Sequence, residues 1–175
     1  TIYDLQSHLS AELAEDYFGS ATTFVAAEID QTTHKAKILS VGDSRAYLID
    51  SQGNWQQITQ DHSILSELLA DFPDKKEEDF ATIYGGVSSC LVADYSEFQD
   101  KVFYQEIEIK QGESLLLCSD GLTDGLSTEV REKIWKQYDT DKSRLTVCRK
   151  LIAKQGGYDD LSVVVCKFLE IKDNI

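Results

Sequence analysis

Between residues 21 and 59 the chain passes through four short runs rich in β-branched and aromatic residues, at 21–29, 35–41, 44–49 and 55–59. Polar turns separate them, at residues 30–34, at Gly42-Asp43 and at 50–54. Runs of this kind read as strands, and connections this short make hairpins of them. Two further strands, 102–109 and 114–119, flank the turn at Gln111-Gly112, and a strongly apolar one, 161–168, comes last. The helical patterns stand apart from the strands. Residues 5–18 carry Leu5, Leu9, Leu13 and Phe18 at near-helical spacing, and residues 63–70 place Ile64, Leu65, Leu68 and Leu69 on one face. Residues 128–138 follow Ser127 as an N-cap, with Glu129 and Glu132 in the first turns, and residues 143–155 end at Gly156-Gly157. Residues 71–79 hold the only proline and read as a surface loop, while 83–92 is ambiguous between a turn at Gly85-Gly86 and a strand. Strand meanders with separately grouped helices predict an α+β layered fold, not a doubly wound parallel sheet.

A chain of 175 residues suits one domain, here residues 1–175, with a substantial core. Its 17 basic and 31 acidic residues give a net charge of −14. Such a surface repels phosphate backbones and anionic lipid, so neither nucleic acid nor membrane is expected as a partner. No apolar run approaches the ~20 residues that span a bilayer, and no basic segment precedes an apolar stretch at the start. A soluble, cytoplasmic protein is expected. Cys90, Cys118, Cys148 and Cys166 are widely spaced and mostly set in apolar patterns, which argues for reduced thiols, not a zinc site or a disulfide framework.

The candidate chemistry lies in acidic turns at strand ends. The apolar run Leu115 to Cys118 stops abruptly on Ser119-Asp120-Gly121. Gly42-Asp43-Ser44-Arg45, Asp61-His62-Ser63 and Tyr158-Asp159-Asp160 are similar. Any one of them alone is adequately explained as a turn or cap, since Asp bonds nearby backbone N–H groups. As a set they offer hard oxygen donors of the kind that Mg²⁺ and Mn²⁺ prefer. There is no phosphate-binding Gly-x-x-x-x-Gly-Lys loop and no Gly-x-Ser-x-Gly elbow. His8, His34 and His62 are isolated along the chain. Cys118, inside Leu-Leu-Leu-Cys, reads as a core thiol with a raised pKa, not as a nucleophile.

These segments also resemble, in order, the motifs of the PPM family, the metal-dependent serine/threonine phosphatases of the protein phosphatase 2C type. Gly19-Ser20-Ala21-Thr22-Thr23 is similar to the family's Gly-Ser-Thr-Ala segment, and Val41 to Leu48 match Val-Gly-Asp-Ser-Arg-Ala-Tyr-Leu without a change. Ile58 to Ser63 match Leu-Thr-x-Asp-His-Ser, and Leu116 to Asp124 match the Ser-Asp-Gly-Leu motif. Gly156 to Val164 resemble the closing Asp-Asn-Ile-Thr-Val-Val motif, with Asp160 in place of Asn.

The resemblance implies an α-β-β-α sandwich of two antiparallel sheets flanked by helices. It implies hydrolysis of phosphoserine and phosphothreonine in phosphoprotein substrates by a metal-activated water, with Mg²⁺ or Mn²⁺ as cofactor. It assigns Asp120 and Asp159 as metal ligands, and gives Asp61 a share in an additional, weaker metal site. Asp43 and Arg45 are implied to be an ion-paired structural turn, and the role of Asp160 stays open. Residues 72–100 fall where the family carries a flap beside its site. The family's Arg…Asn-Glu-Asp and Asp-Gly-x-Gly-Gly segments, which supply a phosphate-binding Arg and a metal-bridging Asp, have no counterpart in this sequence. A missing N-terminal segment is therefore expected, and residues 1–175 alone are expected to be inactive. The rival reading is a pseudophosphatase, a binding or regulatory module that keeps the fold without turnover. A third is a sensor phosphatase acting on a bacterial partner protein.

Overall fold

A computed structural model describes residues 1–80, 86–94, 101–156 and 159–168. The chain divides into two units, one formed by Thr1–Phe24, Ser40–Ser44 and Gln60–Phe103, the other by Val25–Leu39, Arg45–Thr59 and Tyr104–Ile175.

The second unit contains the layered core. It holds β4 (Arg45–Ile49), β5 (Trp55–Gln57), β8 (Ser114–Cys118) and β9 (Val163–Lys167) whole, and all but one or two end residues of β2 (Phe24–Asp30), β3 (Lys35–Val41) and β7 (Phe103–Glu108). One sheet has the order β2-β3-β7 and the other β5-β4-β8-β9. The hairpin between β2 and β3 is held by Asp30, whose carboxylate accepts from the Thr32 and Thr33 N–H groups at 2.8 and 3.2 Å. Strand β8 lies between β4 and β9, antiparallel to both.

The continuous apolar run of β8 follows from that central place, since all five of its residues are buried. Successive side chains in a strand point to opposite faces. Leu115 and Leu117 therefore join Ala36, Ile38, Ala46, Ile58 and Ile109 in a core between the two sheets. Leu116 and Cys118 face the other way, onto Tyr47, Ile49, Trp55, Leu122, Leu126, Ile134, Trp135, Cys148 and Ile152. Those last residues belong largely to α4 (Thr128–Gln137) and α5 (Asp141–Lys154). Burying each β8 leucine contributes about 1.5–3 kcal/mol. Helices, one sheet and a second sheet thus form three successive layers, in keeping with the α+β fold expected from the sequence. Arg131 is an unusual member of the helical layer. Only 4% exposed, its guanidinium stands 5.0 Å from the ring centres of both Tyr47 and Trp55.

The first unit holds α1 (Ile2–Leu13), α2 (Ile64–Asp71) and a two-stranded sheet of β1 (Ala21–Thr22) and β6 (Leu91–Val92). Helix α1 starts earlier than its apolar spacing indicates, because Thr1 and Asp4 form a capping box. Buried Gln6 fixes the helix to β6 by bonding the backbone N–H and C=O of Val92.

Several elements differ from expectation. The strand expected at 21–29 breaks at Thr23, whose hydroxyl bonds Ser44 at 2.8 Å, and its two parts enter different sheets. The strand expected at 55–59 stops at Gln57, because the Thr59 hydroxyl takes over as acceptor for the Ala46 N–H. The loop at 71–79 contains a 3-10 turn, Glu77–Asp79. Of the ambiguous 83–92 segment, only Leu91–Val92 is a strand among the described residues, and 83–85 lie outside them. So do residues 81–85 and 95–100 of the region expected to form a flap.

Candidate metal-binding site

Because β8 and β9 are antiparallel with Cys118 opposite Val163, residues just after β8 and just before β9 leave the sheet at the same end. The chain leaving β8 turns at once into a short helix, α3 (Asp120–Thr123), where the sequence suggested only a turn. Asp120 is its first residue and is half-buried. Asp159 and Asp160 lie on the approach to β9 and are exposed.

The two motif acids meet here. Burial, and then the charges of Asp159 and Asp124, push the Asp120 carboxyl above its ordinary value, and contact with Asp159 adds to this while the Gly121 N–H opposes it. Asp159 is itself oriented by the Asp160 N–H, which donates to its Oδ1 at 2.8 Å.

Two neighbouring residues, Ser119 and Gly121, which the sequence marks only as parts of the Ser-Asp-Gly turn, shape the pair. The Ser119 hydroxyl donates to the Asp160 carbonyl and accepts from the Ser162 N–H, each at 3.1 Å. Gly121 lies against the same backbone: a Cβ there would come within 2.6 Å of the Asp160 oxygen. The Gly in Ser-Asp-Gly thus serves close approach, a use of glycine that a turn motif does not reveal.

Asp61 belongs to the first unit, half-buried between Gln60 and buried His62. His62 is missed by a reading that sees it as isolated. Its Nδ1 accepts from the Gly42 N–H at 3.2 Å, so the ring carries its proton on Nε2, and its own N–H donates to the Gly42 carbonyl at 2.9 Å. Gly42 has φ +100°, and a Cβ on it would lie 2.4 Å from Cγ2 of Thr23. The Gly-Asp-Ser turn is therefore fixed by His62 and Thr23 together. Asp43 and Arg45 are both half-buried. His8 is exposed, with Nδ1 2.7 Å from the Asp4 carbonyl, and exposed His34 stacks on Phe168 at 4.4 Å.

Cys118 is a core thiol, 3% exposed. Burial pushes the Cys148 thiol up to about 11, so it is no nucleophile at neutral pH. All four cysteines are outside any disulfide.

Mg²⁺ or Mn²⁺ would find in Asp120 and Asp159 two hard oxygen donors whose mutual repulsion a cation relieves. In chemistry the pair fits one side of such a site. Among the described residues no group of three or more His, Cys, Asp or Glu stands ready to hold an ion.

A strand-end carboxylate pair above a layered α+β core defines the class to which known proteins can be compared. The family model Protein phosphatase 2C matches residues 5–146, and the chain belongs to that family. It is 33% identical to the serine/threonine phosphatase stp of Listeria innocua over 157 residues, covering 90% of this chain and 60% of the relative. Its structure is similar to the serine/threonine phosphatase Stp1 from Staphylococcus aureus, with a TM-score of 0.78, 26% identity and coverage of 97% of this chain and 65% of the other. It is also similar to the catalytic domain of the serine threonine protein phosphatase PstP in complex with 2 manganese ions, with a TM-score of 0.68, 26% identity and coverage of 93% and 64%. The chain thus spans about 60% of the length of the curated relatives it matches.

Proposed function

We propose that the protein hydrolyses phosphoserine and phosphothreonine in phosphoprotein substrates, using Mg²⁺ or Mn²⁺ held in part by Asp120 and Asp159. The observation that carries this reading is the meeting of those two carboxylates at one end of the β8–β9 pair, each from a separate motif. When bound, the cation supplies charge to the phosphoryl oxygens and lowers the pKa of a water molecule. Asp120 and Asp159 bring the negative charge that anchors the cation, and the half-buried setting of Asp120 strengthens that attraction. Asp61 is assigned to a further, weaker ion. The family relationship and the phosphatase names of the relatives support turnover; no observation favours a pseudophosphatase.

We place the protein in the cytoplasm. Its four reduced cysteines suit a reducing compartment, and among the described residues no helix is long and apolar enough to cross a membrane. The deciding assay is hydrolysis of a phosphothreonine peptide by the full-length protein with Mn²⁺ or Mg²⁺. Activity that stops with EDTA and returns with Mn²⁺ supports the reading; full activity after exhaustive chelation rejects it.

A further inference from the structure

Ser119 occupies the N-cap of α3, yet its side chain caps nothing there. A serine at this position ordinarily accepts a hydrogen bond from one of the first helical N–H groups, worth about 1 kcal/mol. Here the hydroxyl turns away from the helix and bonds the chain entering β9. It donates to the Asp160 carbonyl and accepts from the Ser162 N–H, both at 3.1 Å, so its donor and one acceptor position are used on the same segment. The Ser119 N–H donates in addition to the Ser162 carbonyl at 3.1 Å. Gly121, one residue beyond Asp120, lets that segment come close enough for these bonds to form.

Resting on the reading that Asp120 and Asp159 share an ion, we propose that Ser119 is a positioning residue. Its hydroxyl fastens the 160–162 backbone to the start of α3 and so sets Asp159 opposite Asp120. The residues on either side of the fastening are the two acids themselves: Asp120 follows Ser119 directly, and Asp159 directly precedes the bonded Asp160. The same geometry assigns a role to Asp160. It serves through its backbone, the carbonyl to Ser119 and the N–H to Asp159, while its side chain is exposed.

The test uses Ser119→Ala, Ser119→Thr and, as a control on the ion, Asp120→Asn in the full-length protein. Three quantities are read: thermal melting, amide hydrogen exchange across 159–162, and Mn²⁺ affinity by calorimetry. Ser119→Ala should fold, speed exchange at the Ser162 amide and weaken Mn²⁺ about 10- to 100-fold, the range for groups that orient metal ligands. Ser119→Thr, which keeps the hydroxyl, should restore both. Unchanged exchange across 159–162 in Ser119→Ala overturns the proposal. So does faster exchange with Mn²⁺ affinity within twofold of the parent, provided Asp120→Asn loses the ion. If Asp120→Asn binds Mn²⁺ as tightly as the parent, the ion reading fails instead. The fastening is then upheld or overturned by the Ser162 exchange rate alone. Should Ser119→Ala not fold, Ser119→Cys, a weak donor and acceptor, is measured in the same way and should fall between the parent and full loss.

Discussion

Asp159 faces Asp120 so closely that, after burial, its charge is the largest influence raising the Asp120 pKa. A carboxyl whose folded pKa is raised holds its proton more tightly in the folded than in the unfolded state. Its contribution to stability is fully present below the ordinary value of 3.8 and is lost as pH rises through the raised value. Without metal, the ionised pair therefore opposes folding at neutral pH. Asp120→Asn should raise the melting temperature in EDTA at pH 7. The gain should be small, on the order of 1–2 °C, because solvent screens a half-exposed group. It should vanish below pH 3.8. A scan of melting temperature against pH in EDTA checks this, and a lower melting temperature for the variant at pH 7 would count against the facing pair.

Asp160→Asn restores the residue found in the family motif. The contacts of Asp160 run through its backbone and its side chain is exposed, so the change should alter stability by no more than about 0.5 kcal/mol. Loss of one nearby negative charge should raise the Mn²⁺ concentration for half-maximal turnover only slightly, by about twofold. A titration of turnover against Mn²⁺ reads this directly; a tenfold shift would mean that the side chain takes part.

Gly42→Ala meets two obstacles, a φ of +100° and a Cβ that would sit 2.4 Å from Cγ2 of Thr23. Unfolding in urea should show a loss of at least about 2 kcal/mol. A loss below about 1 kcal/mol would show that the turn adjusts freely, contrary to its fixing by His62 and Thr23.

Arg131 is predicted to act by packing. Its guanidinium stands over the rings of both Tyr47 and Trp55, while its Nε and one terminal nitrogen have no hydrogen-bond partner among the described residues. Arg131→Ala should cost about 2–4 kcal/mol by leaving a cavity. Arg131→Met fills much of the space without burying unpartnered nitrogens, and should stay within about 1 kcal/mol of the parent. Equal losses in the two variants would point to the charge instead.

Much of the fold was legible because its signals are local. Strand β3 runs over Lys35–Val41 as its residues indicate, and Ser127 does stand at the N-cap position of α4, although its side chain makes no capping hydrogen bond there. The apolar run at 115–118 announced a strand, and the structure shows that strand, β8, buried on both faces. What escaped depends on partners distant in sequence. Nothing within 21–29 announces that Thr23 will bond Ser44 and split the strand. His62 looked isolated because its partner, Gly42, lies twenty residues away. Asp120 and Asp159 were each legible from their motifs. Their meeting required the β8–β9 register, and the Ser119 contacts that join them span more than forty residues.

The central claim is that Asp120 and Asp159 hold one ion together, and a double-mutant cycle on Mn²⁺ binding tests it most directly. Mn²⁺ affinity of the full-length protein is measured by calorimetry for the parent, Asp120→Asn, Asp159→Asn and the double variant. Each single change should weaken the tightest Mn²⁺ site at least about 100-fold, and the double variant should be little worse than either, because one lost ligand already dismantles a shared site. Single variants that bind Mn²⁺ like the parent would contradict the account, as would losses that simply add in the double variant.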